Sequence, residues 1–450
     1  MNLVKVANNL IKSNGFVKYG KNTIWLLSEK IVRLLSGLLI GTWVANYLGP
    51  GEYGLYNYAV SIATLFASIA SLGLDGILVR ELLNNKNEEN IIFTSFVLKL
   101  IGATVSLILI IIFLQIRPES NIVTKLIIIM ALSTFFQSFS VIDVFFQSVV
   151  KSRYTVISNI TSIILSSVLK VILIMSASSL IAFAWVLFAE KLIAAVWMVY
   201  FFYKDKANLY LKNLKFSKLL SVSLLKDSWL LIFSAISITL YMKMDQIFLM
   251  NMVSEKAVGE YVAATRLSEL WYFIPLIISS SLFPAIINAK KRSQALYLFR
   301  IQKLYNLMVL LALLVCIPIT LFGKFVIDFL YGIEYHSATP VLMIHIWAGI
   351  FVFLGVASSK WLINENLQSL VFKRTLFGGF VNLGLNLILI PHWGAIGAAV
   401  ATLIGQLSAN YLFDLFGSKT IEMFKMKTKA LILFWDISLE FKNNIVNKKC

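Results

Sequence analysis

Between Leu304 and Gly323, Tyr335 and Ser359, and Thr375 and Phe413 the chain carries no Asp, Glu, Lys or Arg. An α-helix crosses the hydrocarbon core of a bilayer with about 20 mostly apolar residues. Each of the first two runs is long enough for one span. The third is long enough for two, with Pro391, His392, Trp393 and Gly394 as the turn. Composition points the same way. Hydrophobic residues make up 59% and charged residues 14% of the 450, against roughly 45–50% and about 25% in soluble domains. The mean hydropathy is +0.83. Membrane β-strands would show short alternating segments instead. The sequence therefore predicts an all-α polytopic membrane protein.

Twelve spans are expected, at 22–47, 55–79, 91–116, 121–149, 155–176, 179–203, 224–251, 257–287, 304–322, 338–363, 374–391 and 394–417. Lys and Arg outside them orient the chain, because cytoplasmic loops of membrane proteins carry the excess. Alternate connections hold 27 Lys and Arg against 3 (Arg117, Lys256 and Lys324), which predicts that both termini are cytoplasmic. The same bias accounts for the net charge of +18 without nucleic acid, which would need a basic face on a soluble fold. Leu3, Val6, Ala7, Leu10 and Ile11 at helical spacing, with Lys5 and Lys12 opposite, suit a helix on the inner membrane surface. Ala430–Leu439 reads as a second surface helix, with a further span as the alternative. Attraction to anionic membrane lipids is a lesser reading of the basic loops.

The long connection at 204–223 divides the spans six and six: residues 1–203 and 224–417 form two lobes, and 418–450 a basic tail. A shift of 205 places Gly54, Tyr56 and Ala59 on Gly259, Tyr261 and Ala264; a shift of 216 places Val171–Ile174 on Leu387–Ile390. These matches fall at equivalent points of the two halves, as in transporters built from repeats. An even number of spans per half gives both one orientation, with a cleft between them. The tail after Lys419 lies outside both repeats and is expected to be dispensable for transport.

Ten cations lie within the spans: Lys30, Arg33, Lys99, Lys125, Lys170, Lys191, Lys226, Lys243, Arg266 and Lys360. A central charge facing lipid costs ~2.5–3.5 kcal/mol on insertion scales. Lys125, Lys226 and Lys360 are near span ends and can snorkel; the others should face protein or water. Acidic partners are Glu29, Asp75, Asp143, Glu190, Asp245 and Glu269, candidates for ion pairs or for coupling to an ion or proton. Glu29–Arg33 and Arg266–Glu269 share helix faces. The surplus of cations favours an anionic cargo, with structural ion pairs as the alternative. Asn382 and Asn386 share a face, for interhelical hydrogen bonding or for cavity lining. Gly37–Gly41 and Gly397–Ala401–Gly405 suit close helix packing, and Tyr53, Tyr56 and Tyr58 an aromatic belt.

Nothing in the chain points to catalysis or a cofactor. Three scattered histidines and two lone cysteines offer no metal spacing or disulfide framework. Gly378–Gly379 lacks the strand and the Lys-Ser/Thr of a phosphate loop.

The run Tyr47-Leu-Gly-Pro-Gly-Glu-Tyr-Gly-Leu-Tyr56, followed by Leu72-Gly-Leu-Asp-Gly-Ile-Leu-Val-Arg-Glu81, resembles the start of a Wzx-type polysaccharide flippase. This is a branch of the multidrug/oligosaccharidyl-lipid/polysaccharide exporter superfamily. Asp245, Gly259-Glu-Tyr261, Arg266, Phe283-Pro284, Leu330-Tyr-Gly332, Pro340-Val-Leu342, and Asn386–Pro391 running into Gly394–Ala399 continue the resemblance over roughly 20–417. It implies about twelve transmembrane helices in two six-helix lobes around a central cavity. It also implies alternating access that carries an undecaprenyl-diphosphate-linked oligosaccharide across a bacterial inner membrane, for O-antigen, capsule or similar polysaccharide. A polysaccharide polymerase and a chain-length regulator are the implied partners. Arg33 and Arg266 would be the first substrate contacts, with Lys99, Lys170, Lys243, Asn382 and Asn386 as further cavity candidates. A lipid II flippase, a drug exporter of the same superfamily and, from another class, a membrane polymerase or ligase are the rivals.

Overall fold

The structure, a computed structural model, describes residues 14–84, 88–205 and 215–436. Within these, all regular structure is helical. α1 (Asn14–Ala70), α2 (Asp75–Asn84), α3 (Glu88–Ile116), α4 (Asn121–Gln137), α5 (Ser140–Ser148), α6 (Arg153–Met175), α7 (Leu180–Asp205) and α8 (Lys218–Met252) come first. They are followed by α9 (Glu255–Glu269), α10 (Phe273–Lys290), α11 (Gln294–Tyr331), α12 (Ala338–His345), α13 (Ala348–Asn364), α14 (Gln368–Asn410) and α15 (Ile421–Ile432). The expected surface helix at Leu3–Ile11 and residues 206–214 of the 204–223 connection lie outside the described residues.

Ten helical stretches are long and apolar enough to cross a membrane, and two of them, of 63 and 49 residues, exceed one crossing. Each of those two contains a glycine with left-handed backbone, Gly49 (φ 68) in α1 and Gly394 (φ 53) in α14. Only glycine adopts this conformation without Cβ strain. Counting both as hairpins brings ten to twelve, the number expected. In α14 the fold-back is visible in its side chains. A Cβ at Gly405 would meet that of Asn382 at 2.9 Å, and one at Gly378 would meet that of Ala409 at 2.5 Å, so the two arms run antiparallel in close contact. Gly37, by contrast, has open space around it, so the close packing expected there is absent.

Four spans that read as continuous in the sequence are interrupted. The second breaks at Ser71–Leu74, the fourth at Ser138–Phe139, the eighth at a 3-10 turn over Leu270–Tyr272, and the tenth at Ile346–Trp347. The same ordinal spans are broken in each half. Uniformly high hydropathy hides such breaks, since no change of residue class marks a slipped turn.

The chain forms two compact units, Met1–Ile247 and Phe248–Cys450. Their boundary falls inside α8, beyond the 204–223 connection, because the first thirty residues of α8 pack on the first unit. The Gln246 Oε1 accepts from Ser61, Leu231 sits against Gly73, and Asp227 pairs with Arg80. The first unit's core gathers Leu74, Leu78, Ile91, Phe145 and Phe146. The second unit's gathers Tyr305, Met308, Phe353, Leu354 and Trp361. Outward faces are apolar as well: α3 exposes Ile101, Val105, Ile108 and Ile112 along one stripe. A helix apolar on all sides belongs in a bilayer. The protein is a multi-pass membrane protein.

Two sequence expectations need correction. Tyr53, Tyr56 and Tyr58 are buried in the first unit and form no lipid-facing belt; the Tyr58 hydroxyl donates to Glu119 at 2.8 Å. The segment after the last span is helical over Ile421–Ile432, earlier than the expected 430–439, and it is no loose surface helix. Met423, Lys427 and Ala430 make one fully buried face of α15, packed into the second unit's core. Residues 437–439 lie outside the described residues.

Candidate functional site

A cavity of about 630 Å³ opens in the first unit, between the second arm of α1, α4, α6, α7 and α8. Its polarity comes from two stripes on otherwise apolar helices. Thr64 and Ser68 line it from α1, with Ser71 just past its end, and Ser133, Gln137 and Ser140 from α4 and the start of α5. In both, a spacing of four keeps the first two side chains on one helix face, and the third, Ser71 or Ser140, joins them from the break in the span. Thr134, Asn159 on α6 and Thr239 on α8 complete the polar lining. Lys191, on α7, is the one charged side chain in it. It is exposed to the cavity and makes no ion pair among the described residues.

Ion pairs stand behind this wall. The Asn159 side-chain amide donates to Glu29 at 3.0 Å, and Glu29 pairs with Arg33 at 3.0 Å. Lys99, only 2% exposed, donates to the Ser140 hydroxyl at 2.7 Å and pairs with Asp75. Glu190, next to Lys191, accepts from Ser166 at 2.7 Å and lies 3.7 Å from Lys170. The expected pair Glu29–Arg33 thus touches the cavity through Asn159, and two pairs that spacing did not indicate, Lys99–Asp75 and Lys170–Glu190, touch it through Ser140 and the α7 backbone next to Lys191; none of these six charged side chains lines it. Asp143 is half-buried on α5.

The remaining candidates are placed differently. Asp245 is buried and Lys243 half-buried on α8. Arg266 and Glu269 are exposed on α9. Asn382 and Asn386 are buried in the α14 hairpin: Asn386 donates to Asn382 at 3.1 Å and Asn382 to Thr402 at 3.4 Å. Thr402 shares a hydrogen bond of 3.2 Å with Tyr261 of α9. Interhelical bonding, one of the two readings open for the asparagines, describes this arrangement.

None of the seven residues expected to contact substrate lines the first unit's cavity, and its lining residues Lys191, Asn159 and Gln137 were not among them. A signal existed. Hydroxyl and amide residues recur at helical spacing in spans two and four, but counting charges alone passes over them.

Chemically, the cavity can exchange hydrogen bonds with a hydroxyl-rich ligand at many points and can attract one anionic group at Lys191. Asn159 and Ser140 are each bonded to a member of an ion pair, which holds these two groups in place before a ligand arrives.

The family described as polysaccharide biosynthesis protein matches residues 19–290, more than half of the chain. A protein of Haloferax volcanii named as a probable low-salt glycan biosynthesis flippase, Agl15, is 26% identical over 181 residues, 38% of each chain. The match therefore spans about two fifths of that relative's length. Among solved structures, the lipid II flippase MurJ in an inward closed conformation aligns with TM-score 0.67 at 14% identity, over 92% of this chain and 91% of that one. An inward-facing multidrug resistance MATE family transporter of the MOP superfamily aligns with TM-score 0.62 at 17% identity, over 90% and 95%. At these identities the likeness is one of fold.

Proposed function

Because the chain belongs to the polysaccharide biosynthesis protein family, we propose that it is a flippase for lipid-linked oligosaccharide. Its substrate in this reading is an undecaprenyl-diphosphate-linked repeat unit of an O-antigen, capsule or related polysaccharide. It carries that unit across a bacterial inner membrane by alternating access, with both termini cytoplasmic. A polysaccharide polymerase and a chain-length regulator would act on the product.

The observation that carries this reading is the first unit's cavity, in which hydroxyl and amide side chains surround a lone lysine. A sugar chain stripped of water needs replacement hydrogen bonds, at a cost of roughly 1–3 kcal/mol for each polar group left without one. The stripes on α1 and α4 offer such partners within a lobe whose outer faces are apolar. Lys191 would attract the diphosphate or an acidic sugar, and Arg33, neutralised by Glu29 in this conformation, would join it once released. Arg266 would serve in the second lobe. A cavity for cationic drugs would instead favour a carboxylate where Lys191 stands. The reading makes the protein a transporter, with no bond made or broken.

Cells carrying Lys191→Gln test it. The expected result is normal membrane levels of the protein, accumulation of lipid-linked repeat units on the cytoplasmic side, and partial recovery with Lys191→Arg. Full surface polysaccharide from Lys191→Gln would remove the cavity from the substrate path.

A further inference from the structure

α15 has two faces of opposite character. The inner one is anchored: the Lys427 ammonium donates to Asp414 at 2.6 Å, to the Asn410 carbonyl at 2.7 Å and to Ser358 at 3.1 Å. The chain beyond it is tied as well, with Asn306 donating to the Leu433 and Asp436 carbonyls. The helix therefore holds its outer face in a set orientation. On that face Lys425 and Lys429 stand one turn apart, both exposed, and neither forms an ion pair among the described residues. Like charges at this spacing repel each other, and Glu422, three residues before Lys425, is the one acid near them on the helix.

Between the two lysines runs a shallow groove of about 370 Å³, lined by Phe424, Lys425, Thr428, Lys429, Ile432 and Leu433. Phe424 is packed on the Tyr411 ring at 4.7 Å, which gives the groove a fixed floor. Large apolar side chains are exposed in and next to it along the chain: Ile432 and, just beyond, Trp435 at 62% each, and Phe416, before the start of α15, at 78%. Phe416 closes the last stretch long and apolar enough to cross a membrane, five residues before α15 begins, so the groove follows that stretch directly in the chain.

We propose that this groove binds an anionic phospholipid of the leaflet on the Lys- and Arg-rich side of the membrane. The lipid phosphate sits between Lys425 and Lys429, the acyl chain lies over Phe424 and Ile432, and Trp435 anchors at the interface as aromatic residues do. A water-soluble anion would satisfy the lysines but would leave the apolar floor and rim in water. A lipid satisfies both. The site is independent of the cavity in the first unit and of what that cavity transports.

The test uses the purified full-length chain in detergent, titrated with phosphatidylglycerol or with phosphatidylcholine and read by native mass spectrometry. Basic residues near an anionic lipid surface contribute roughly fivefold each, so K425Q/K429Q should weaken phosphatidylglycerol retention by about 25-fold. Phosphatidylcholine retention should not change. Trp435→Gln should weaken retention while keeping the preference for phosphatidylglycerol. The exposed pair Lys291 and Arg292 serves as control, and K291Q/R292Q should have little effect. Unchanged phosphatidylglycerol retention in K425Q/K429Q overturns the proposal. So does an equal loss in K291Q/R292Q, which would mean diffuse charge attraction, and so does displacement by inorganic phosphate at the lipid's concentration, which would mean a site for a soluble anion.

Discussion

Lys191 and Lys427 show how differently the same side chain is used in the two units. Lys191 faces hydroxyls and open space, whereas Lys427 is fully buried against Asp414, with Arg374 and Tyr305 also near it. Burial pushes the Lys427 ammonium down to about 8, against the opposing pull of Asp414. Its folded value lies below the unfolded 10.5, so its contribution to stability is full above 10.5 and is lost as pH falls through about 8. Thermal unfolding of the wild type should therefore gain on that of Lys427→Met between pH 8 and 10. Parallel profiles for the two proteins would show that the Lys427 ammonium is not pushed down by its surroundings. At the first unit's site, Lys191→Gln should reduce transport at least tenfold without changing the melting temperature, and Glu29→Gln should leave Lys191-dependent transport largely intact. At this scale the sequence was partly legible. The pair Glu29–Arg33 follows from spacing along one helix, and the structure contains it at 3.0 Å. Pairing across helices, as between Lys99 and Asp75 or Lys427 and Asp414, depends on which spans are neighbours, and spacing carries no information about that.

Among elements, the α14 hairpin and α15 make the clearest predictions. Gly405 lies where a Cβ would stand 2.9 Å from that of Asn382 and 3.2 Å from the Gly378 carbonyl. Gly405→Leu forces the arms apart, at a cost of about 1–3 kcal/mol or more for overpacking, and should lower the melting temperature and membrane levels together. Gly37→Leu, with open space around that position, should be tolerated. α15 leads to a prediction opposite to the one from sequence. Outside both repeats, the tail reads as dispensable, yet its inner face completes the second unit's core and its Lys427 holds Asp414. Removing one partner of a buried ion pair costs about 3–5 kcal/mol. A chain ending at Ser418 should therefore be retained poorly in the membrane, and Asp414→Asn should lose much of the same stability. The sequence hid this because Lys425, Lys427 and Lys429 read alike as basic tail; only a partner on another helix separates the middle one from the outer two.

For the whole molecule, the membrane class and the number of crossings were legible because uncharged runs of that length have no other stable setting. The left-handed turn at Gly394 also showed, in the Pro391-to-Gly394 sequence. The breaks at Ser71–Leu74 and Ile346–Trp347 did not, since they lie inside apolar runs where one turn looks like the next. The first unit's cavity was legible only in hindsight, in the Thr64-Ser68-Ser71 and Ser133-Gln137-Ser140 stripes. The central claim is that this family member moves a lipid-linked oligosaccharide through a hydroxyl-lined cavity containing Lys191. The most direct test is a reconstituted one. Proteoliposomes loaded with undecaprenyl-diphosphate-linked oligosaccharide are assayed for substrate that becomes accessible to an external glycosidase. The account predicts accessibility rising to both leaflets with the wild type, at a rate at least tenfold lower with Lys191→Gln. Equal rates for the wild type, Lys191→Gln and protein-free vesicles would contradict it.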